Sequence, residues 1–102
     1  MAASGVIVDP IESIVSEARR ISVQIPGTTW YLFGSMLRNR ERAQDIDLLV
    51  IHAYADDGPR LRCELAALIA GLPVHLLIVS EDEELTLNVL GRYELRQLFP
   101  PT

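Results

Sequence analysis

Cysteine is almost absent: Cys63 is the only one in 102 residues. No disulfide can form within the chain, and a reducing, cytoplasmic setting is expected. Cys63 lies in an apolar helical pattern and reads as a small buried side chain. There is no apolar stretch long enough to span a bilayer, so no membrane role is expected. The N-terminus lacks a basic start and a sufficient apolar run for a signal peptide. Basic charge is also scarce, nine Lys and Arg against 14 Asp and Glu, a formal net charge of −5. That argues against a broad nucleic-acid footprint, which needs a basic face. Repeats, low-complexity segments and linkers are missing as well. What is present is a 49% hydrophobic chain of one-domain length, hence one small globular domain over residues 1–102, with 1–8 read as a flexible tail or a short edge segment at Val6 to Val8.

The organising stretch is Tyr31-Leu32-Phe33-Gly34-Ser35, nine residues, then Asp45-Ile46-Asp47-Leu48-Leu49-Val50. It reads as a strand, a tight Gly-Ser turn, a short helix and a second strand. Asp45 and Asp47, at i and i+2, face the same side of that strand. Two like charges side by side on an otherwise apolar strand are unfavourable unless a cation sits between them. A hard divalent cation, Mg²⁺ or Mn²⁺, answers that need. At Gly34-Ser35 a strand gives way to a helix. Free backbone N–H groups there hold an anion, and glycine lets it approach closely. Carboxylates facing a phosphate cradle suggest a nucleoside triphosphate site. Arg38, Arg40 and Arg42 in the spacer read either as a local phosphate-binding patch or as a solvated helix face.

The rest of the chain frames this stretch. Asp9-Pro10-Ile11-Glu12 is a helix start, and Ile11, Ile14, Val15, Ala18 and Ile21 follow at helical spacing. Pro26-Gly27 stops that helix, and Thr28 to Phe33 is the first strand. Trp30 and Tyr31 are candidates for stacking on a base, with strand packing expected for at least one. Ser35 to Arg42 is a short helix and Asp45 to His52 the second strand. Their connection is too short for a full crossover, so the two strands are expected to be antiparallel neighbours. A third helix opens near Pro59, with Asp57 or Gly58 at its cap and Leu61, Leu65, Leu68, Ile69 and Leu72 as its stripe. Pro73 to Val79 is a buried strand interrupted by His75, reached by a parallel crossover. Ser80 to Glu83 is a capping box. Leu85 to Leu98 is expected to continue helically, with a break at Gly91. Its apolar side chains Leu87, Leu90, Leu95, Leu98 and Phe99 exceed what a short helix needs for a small core and predict an interface. The expected class is α+β, a mixed sheet flanked by helices in the order α-β-α-β-α-β-α.

Gly-Ser, a spacer of this length, then Asp-hydrophobic-Asp resembles the signature of the polymerase-beta-type nucleotidyltransferase superfamily, and within it the minimal nucleotidyltransferases. Arg38 falls where that family often carries arginine, while Asn39 and Gln44 stand where it often has glycine and serine. The resemblance implies the nucleotidyltransferase fold and transfer of a nucleoside monophosphate from a triphosphate, such as ATP, to an acceptor hydroxyl. It implies that Asp45 and Asp47 hold the metal ions and that Gly34, Ser35 and Arg38 bind the nucleotide. A small helical partner protein, as in toxin–antitoxin pairs, or a homo-oligomer is the implied associate. One departure is plain: where the family brings a third carboxylate from a later strand, His75 aligns. Imidazole suits Mn²⁺ better than Mg²⁺ and can serve as a base, so His75 is either a candidate catalytic residue or a half-buried histidine hydrogen-bonded to a neighbour with no catalytic task. The alternative is a catalytically degenerate module of the same fold that binds a nucleotide or a partner.

Overall fold

In a computed structural model of the chain, residues 10–34 and 45–101 are described. The tail at 1–8, the cap at Asp9 and the spacer helix expected from Ser35 to Arg42 lie outside them. Helix α1, Pro10–Gln24, begins on its proline, whose fixed φ suits a first helical position. Its residues Ile11, Ile14, Ala18 and Ile21 are buried, one stripe at a spacing of three and four. Gly27 then turns the chain at φ +83° into strand β1, Thr28–Phe33. Strand β2, Ile46–His52, pairs antiparallel with β1 from Thr28↔His52 to Phe33↔Asp47.

Helix α2, Asp57–Gly71, buries Leu61, Leu65 and Leu68. Asp56 rather than Asp57 or Gly58 stands at its cap position, and Pro59 falls inside the first turn. Cys63 is exposed, contrary to the sequence expectation. It sits midway between Leu61 and Leu65, roughly 200° around the helix from either, and so faces solvent. Strand β3, Val74–Ser80, returns parallel to β2 in the register Ile46↔Val74 to His52↔Ser80.

The C-terminal segment departs from the expected helix. After the Ser80–Glu83 capping box, α3 spans only Glu81–Leu87 and α4 only Val89–Arg92. Leu95–Phe99 is a strand, β4, antiparallel to β1 with a register shift at Trp30/Tyr31. The break falls at Asn88, not Gly91: Asn88 adopts a left-handed φ of 52°, one of the few non-glycine types that does so readily. The Glu84 carboxylate then accepts the Val89 N–H at 2.6 Å and so caps α4. A strand prevails beyond it because β1 presents a second edge whose N–H and C=O groups need partners. Helical spacing of leucines cannot reveal that demand.

The result is an α+β architecture with a mixed four-stranded sheet in the order β3-β2-β1-β4. Because side chains alternate, the sheet has two unlike faces. One carries Trp30, Leu32, Ile46, Leu48, Val50, Val74 and Ile78, packed with α1 and α2 into the main core. Trp30 is wholly buried and its Nε1 donates to Thr28 Oγ1 at 3.0 Å, so its work is packing and not base stacking. The other face carries Leu49, Ile51 and Val79 under Val89, with Tyr31, Phe33 and Leu95 alongside. The short helices therefore cover that face at its Ile51/Val79 end.

Candidate metal and nucleotide site

The opposite end of the second face holds the charged residues. Asp47 is the first side chain of β2 to point to this face, and the register sets it directly opposite Phe33, the last residue of β1. Gly34 follows at φ +77°. A Cβ built on Gly34 would collide with Asp47 Oδ2 and stand 2.9 Å from Asp47 Cγ. Glycine is thus required twice at this turn, by the backbone conformation and by the carboxylate that lies against it.

Asp45, two residues before Asp47, reaches the same side. The parallel register places His75 of β3 beside Asp47. His75 Nδ1 lies 3.4 Å from Asp47 Oδ1, and His75 Nε2 lies 3.9 Å from Asp45 Oδ2. The imidazole therefore stands between the carboxylates, one nitrogen toward each. Solvent reaches all three: the side chains of His75, Asp45 and Asp47 are 69%, 48% and 23% exposed. The strand geometry thus brings Gly34, Asp45, Asp47 and His75 together. Ser35 and Arg38, expected to complete the phosphate site, lie outside the described residues, as do Arg40 and Arg42.

The donor chemistry fits a hard divalent cation, with a restriction. Among the described residues no group of three or more His, Cys, Asp or Glu side chains is arranged to hold a metal ion. That agrees with the placement of His75, whose two nitrogens face different carboxylates. Mg²⁺ does not need such a cage: it is commonly held by one or two carboxylates together with substrate phosphates and water. Asp45 and Asp47 are the two carboxylates here that could serve so, with the His75 ring between them.

One row of side chains extends from this point across the sheet. His75, Asp47, Phe33 and Leu95 are register partners on successive strands β3, β2, β1 and β4. The Tyr93 ring leans on Phe33, with centroids 5.4 Å apart and planes at 45°. One row further in, partial burial and then the nearby Glu84 carboxylate hold the Tyr31 hydroxyl above its ordinary pKa. Sequence reasoning missed Tyr93 and the role of Phe33. The antiparallel pairing of the end of the first strand with the start of the second would have placed Phe33 beside Asp47. Tyr93 was hidden by reading its segment as a continuous helix. Two open depressions, one lined by Gln24, Pro59, Arg60, Cys63 and Glu64 and the other by residues of α1 between Ile11 and Arg19, lie in the helical layer over the other face. Neither gathers the chemistry that Asp45, Asp47 and His75 do.

Compared with protein-family models, with curated proteins and with solved structures, the chain matches none.

Proposed function

We propose that this domain binds a nucleoside triphosphate with Mg²⁺ or Mn²⁺ and belongs to the nucleotidyltransferase type, passing a nucleoside monophosphate to an acceptor hydroxyl. The observation that carries the reading is the seating of the Asp47 carboxylate against the positive-φ turn at Gly34, with Asp45 on the same side. A glycine turn at a strand end, which the sequence leads one to expect to offer N–H groups to a phosphate, and a pair of carboxylates for a cation would be complementary to one ligand, a metal-bound polyphosphate.

In this reading the acceptor oxygen attacks the α-phosphorus, a P–O bond forms, and the bond to the bridging oxygen breaks so that pyrophosphate leaves. The acceptor proton goes to a base. The cation, when bound, neutralises charge that builds on the phosphoryl oxygens. Asp45 and Asp47 anchor and orient the polyphosphate complex on the sheet edge. The bare Cα of Gly34 leaves room for the Asp47 carboxylate that lies against the turn. His75, exposed and 3.4 Å from Asp47, would in this reading turn one imidazole nitrogen from its carboxylate to take the acceptor's proton.

A second reading is nucleotide binding without transfer. It is favoured by the presence of His75 where a third carboxylate would serve the chemistry, which leaves the site one negative charge poorer. A protein acceptor or a second copy of the chain would supply the hydroxyl in the first reading. Leu85, Leu87 and Leu90, all exposed on α3 and α4, support such an association. Among the described residues no helix is long and apolar enough to cross a membrane.

A ligand bound only by the folded state raises the melting temperature. ATP with Mn²⁺ is expected to do so for the wild type and not for Asp47→Asn. No shift with any of the four ribonucleoside triphosphates, with either metal, sinks both readings. Release of pyrophosphate from labelled ATP then separates transfer from binding alone.

A further inference from the structure

We infer that Tyr93 is the platform on which the base of the bound nucleotide stacks, an inference that rests on the nucleotide reading of the Gly34–Asp47 site. The argument begins with the half-covered face. α3 and α4 cover Leu49, Ile51 and Val79 through Val89, and the row His75–Asp47–Phe33–Leu95 lies beyond them. Along that row the character changes from charged to aromatic within one strand spacing, about 5 Å. Phe33 is half-buried, and its ring is occupied on one side by Tyr93. Tyr93 itself is 53% exposed, unusual for an aromatic ring already in contact with another. The ring is tilted 45° to Phe33 rather than stacked flat on it, and about half of the residue is open to solvent.

The distances suit one molecule lying along the row. From Asp47 to the Phe33 backbone is about 5 Å, and from the Phe33 ring to the Tyr93 ring is 5.4 Å. A nucleotide anchored at Gly34, Asp45 and Asp47 that lay across Phe33 would bring its base within reach of Tyr93. An exposed aromatic side chain at such a distance from a phosphate site is the ordinary means of holding a base, because every base has a π face. The segment that carries Tyr93 is also held firmly: the Tyr93 N–H donates to the Val89 carbonyl, and Leu95 enters the sheet two residues later. Trp30 is buried in the other face, and Tyr31 is half-buried one row further in, so neither offers an equivalent surface.

The test is calorimetric titration of the full chain with Mn²⁺–ATP and with Mn²⁺–tripolyphosphate, which carries the anionic part and no base. For the wild type, ATP is expected to bind more tightly than tripolyphosphate. Tyr93→Leu keeps apolar cover over Phe33 but removes the π face. It is expected to weaken ATP about tenfold and to leave tripolyphosphate unchanged. Tyr93→Phe is expected to retain wild-type ATP binding. If Tyr93→Leu leaves ATP affinity intact, or weakens ATP and tripolyphosphate alike, Tyr93 is only a packing residue and the inference is overturned. Equal affinity of the wild type for the two ligands overturns it as well. Failure of the wild type to bind either ligand overturns the nucleotide reading itself, a result distinct from all the others.

Discussion

Gly34→Ala probes the junction on which the site depends. The backbone there has φ +77°, where an L-residue with a Cβ costs about 1–2 kcal/mol. The new methyl would also overlap Asp47 Oδ2 and come 2.9 Å from Cγ, so the carboxylate must leave its rotamer, about 1 kcal/mol more. Loss of glycine's freedom in the unfolded chain returns about 0.5 kcal/mol. The net loss is about 2 kcal/mol, or ~8–16 °C in melting temperature for a domain of this size. Gly27→Ala is the control. Its φ is +83°, and its Cβ would meet Ala53 Cβ at 3.0 Å and the Tyr54 ring at 3.5 Å, with no carboxylate among its nearest atoms. It is expected to lose the backbone part, about 1 kcal/mol, and to keep the thermal response to Mn²⁺–ATP, whereas Gly34→Ala loses that response. Urea unfolding of Gly34→Ala, Asp47→Ala and the double variant measures the steric part. Truncating Asp47 removes the atoms that clash, so the cycle is expected to show a coupling of about 1 kcal/mol. Additivity of the two changes within about 0.5 kcal/mol would refute the contact between Gly34 and Asp47.

Three further outcomes are expected. Ser80→Ala removes the hydroxyl that accepts the Glu83 N–H at 3.0 Å and should cost about 1 kcal/mol, read as a fall in the urea midpoint at constant slope. Glu83 has its pKa held below the ordinary value, first by the Ser80 backbone N–H and then by the Ser80 side chain. The stability it adds is therefore present above about pH 4.3, the unfolded value, and disappears as pH falls through the lower folded value. The stability difference between wild type and Glu83→Gln should be flat at neutral pH and shrink in acid, and a difference that instead grows below pH 4 contradicts the box. His75→Asp puts a third carboxylate beside Asp47, so it should bind Mg²⁺ more tightly than wild type and, without metal, melt lower through like-charge repulsion. If metal affinity is unchanged, His75 does not share a site with Asp47.

Much of the fold was legible because local and global demands agree. The spacing of Ile11, Ile14, Ala18 and Ile21 specifies a helix face and needs no knowledge of what packs on it. Thr28–Phe33 and the run from Ile46 are strands by composition alone, and the short connection between them dictates antiparallel pairing. The helix between β2 and β3 dictates the parallel pair, and so the proximity of His75 to Asp47 follows from topology. Where the reading went astray, a side chain's angle on its own helix or a distant partner decided. Cys63 looks like part of an apolar stripe until its angle from Leu61 is counted. Leu95, Leu98 and Phe99 look helical in isolation and become a strand because the free edge of β1 lies beside them.

That misread segment also explains why the candidate site stays open. A continuous helix from Glu81 to Leu98 would be about 27 Å long, enough to lie across the second face of the sheet and bury Phe33 and Asp47 together. Asn88 ends α3 after Leu87, Glu84 restarts a single turn, and the chain then enters the sheet at Leu95. The helical cover is used up over Leu49, Ile51 and Val79. What remains outside it is the row that carries His75, Asp47 and Phe33. The carboxylates at its end could not be covered by apolar side chains without a large desolvation cost. Closing the β1 edge with β4 thus both completes the sheet and keeps the charged corner beside Gly34 in contact with solvent, as the proposed binding of a metal-bound polyphosphate requires.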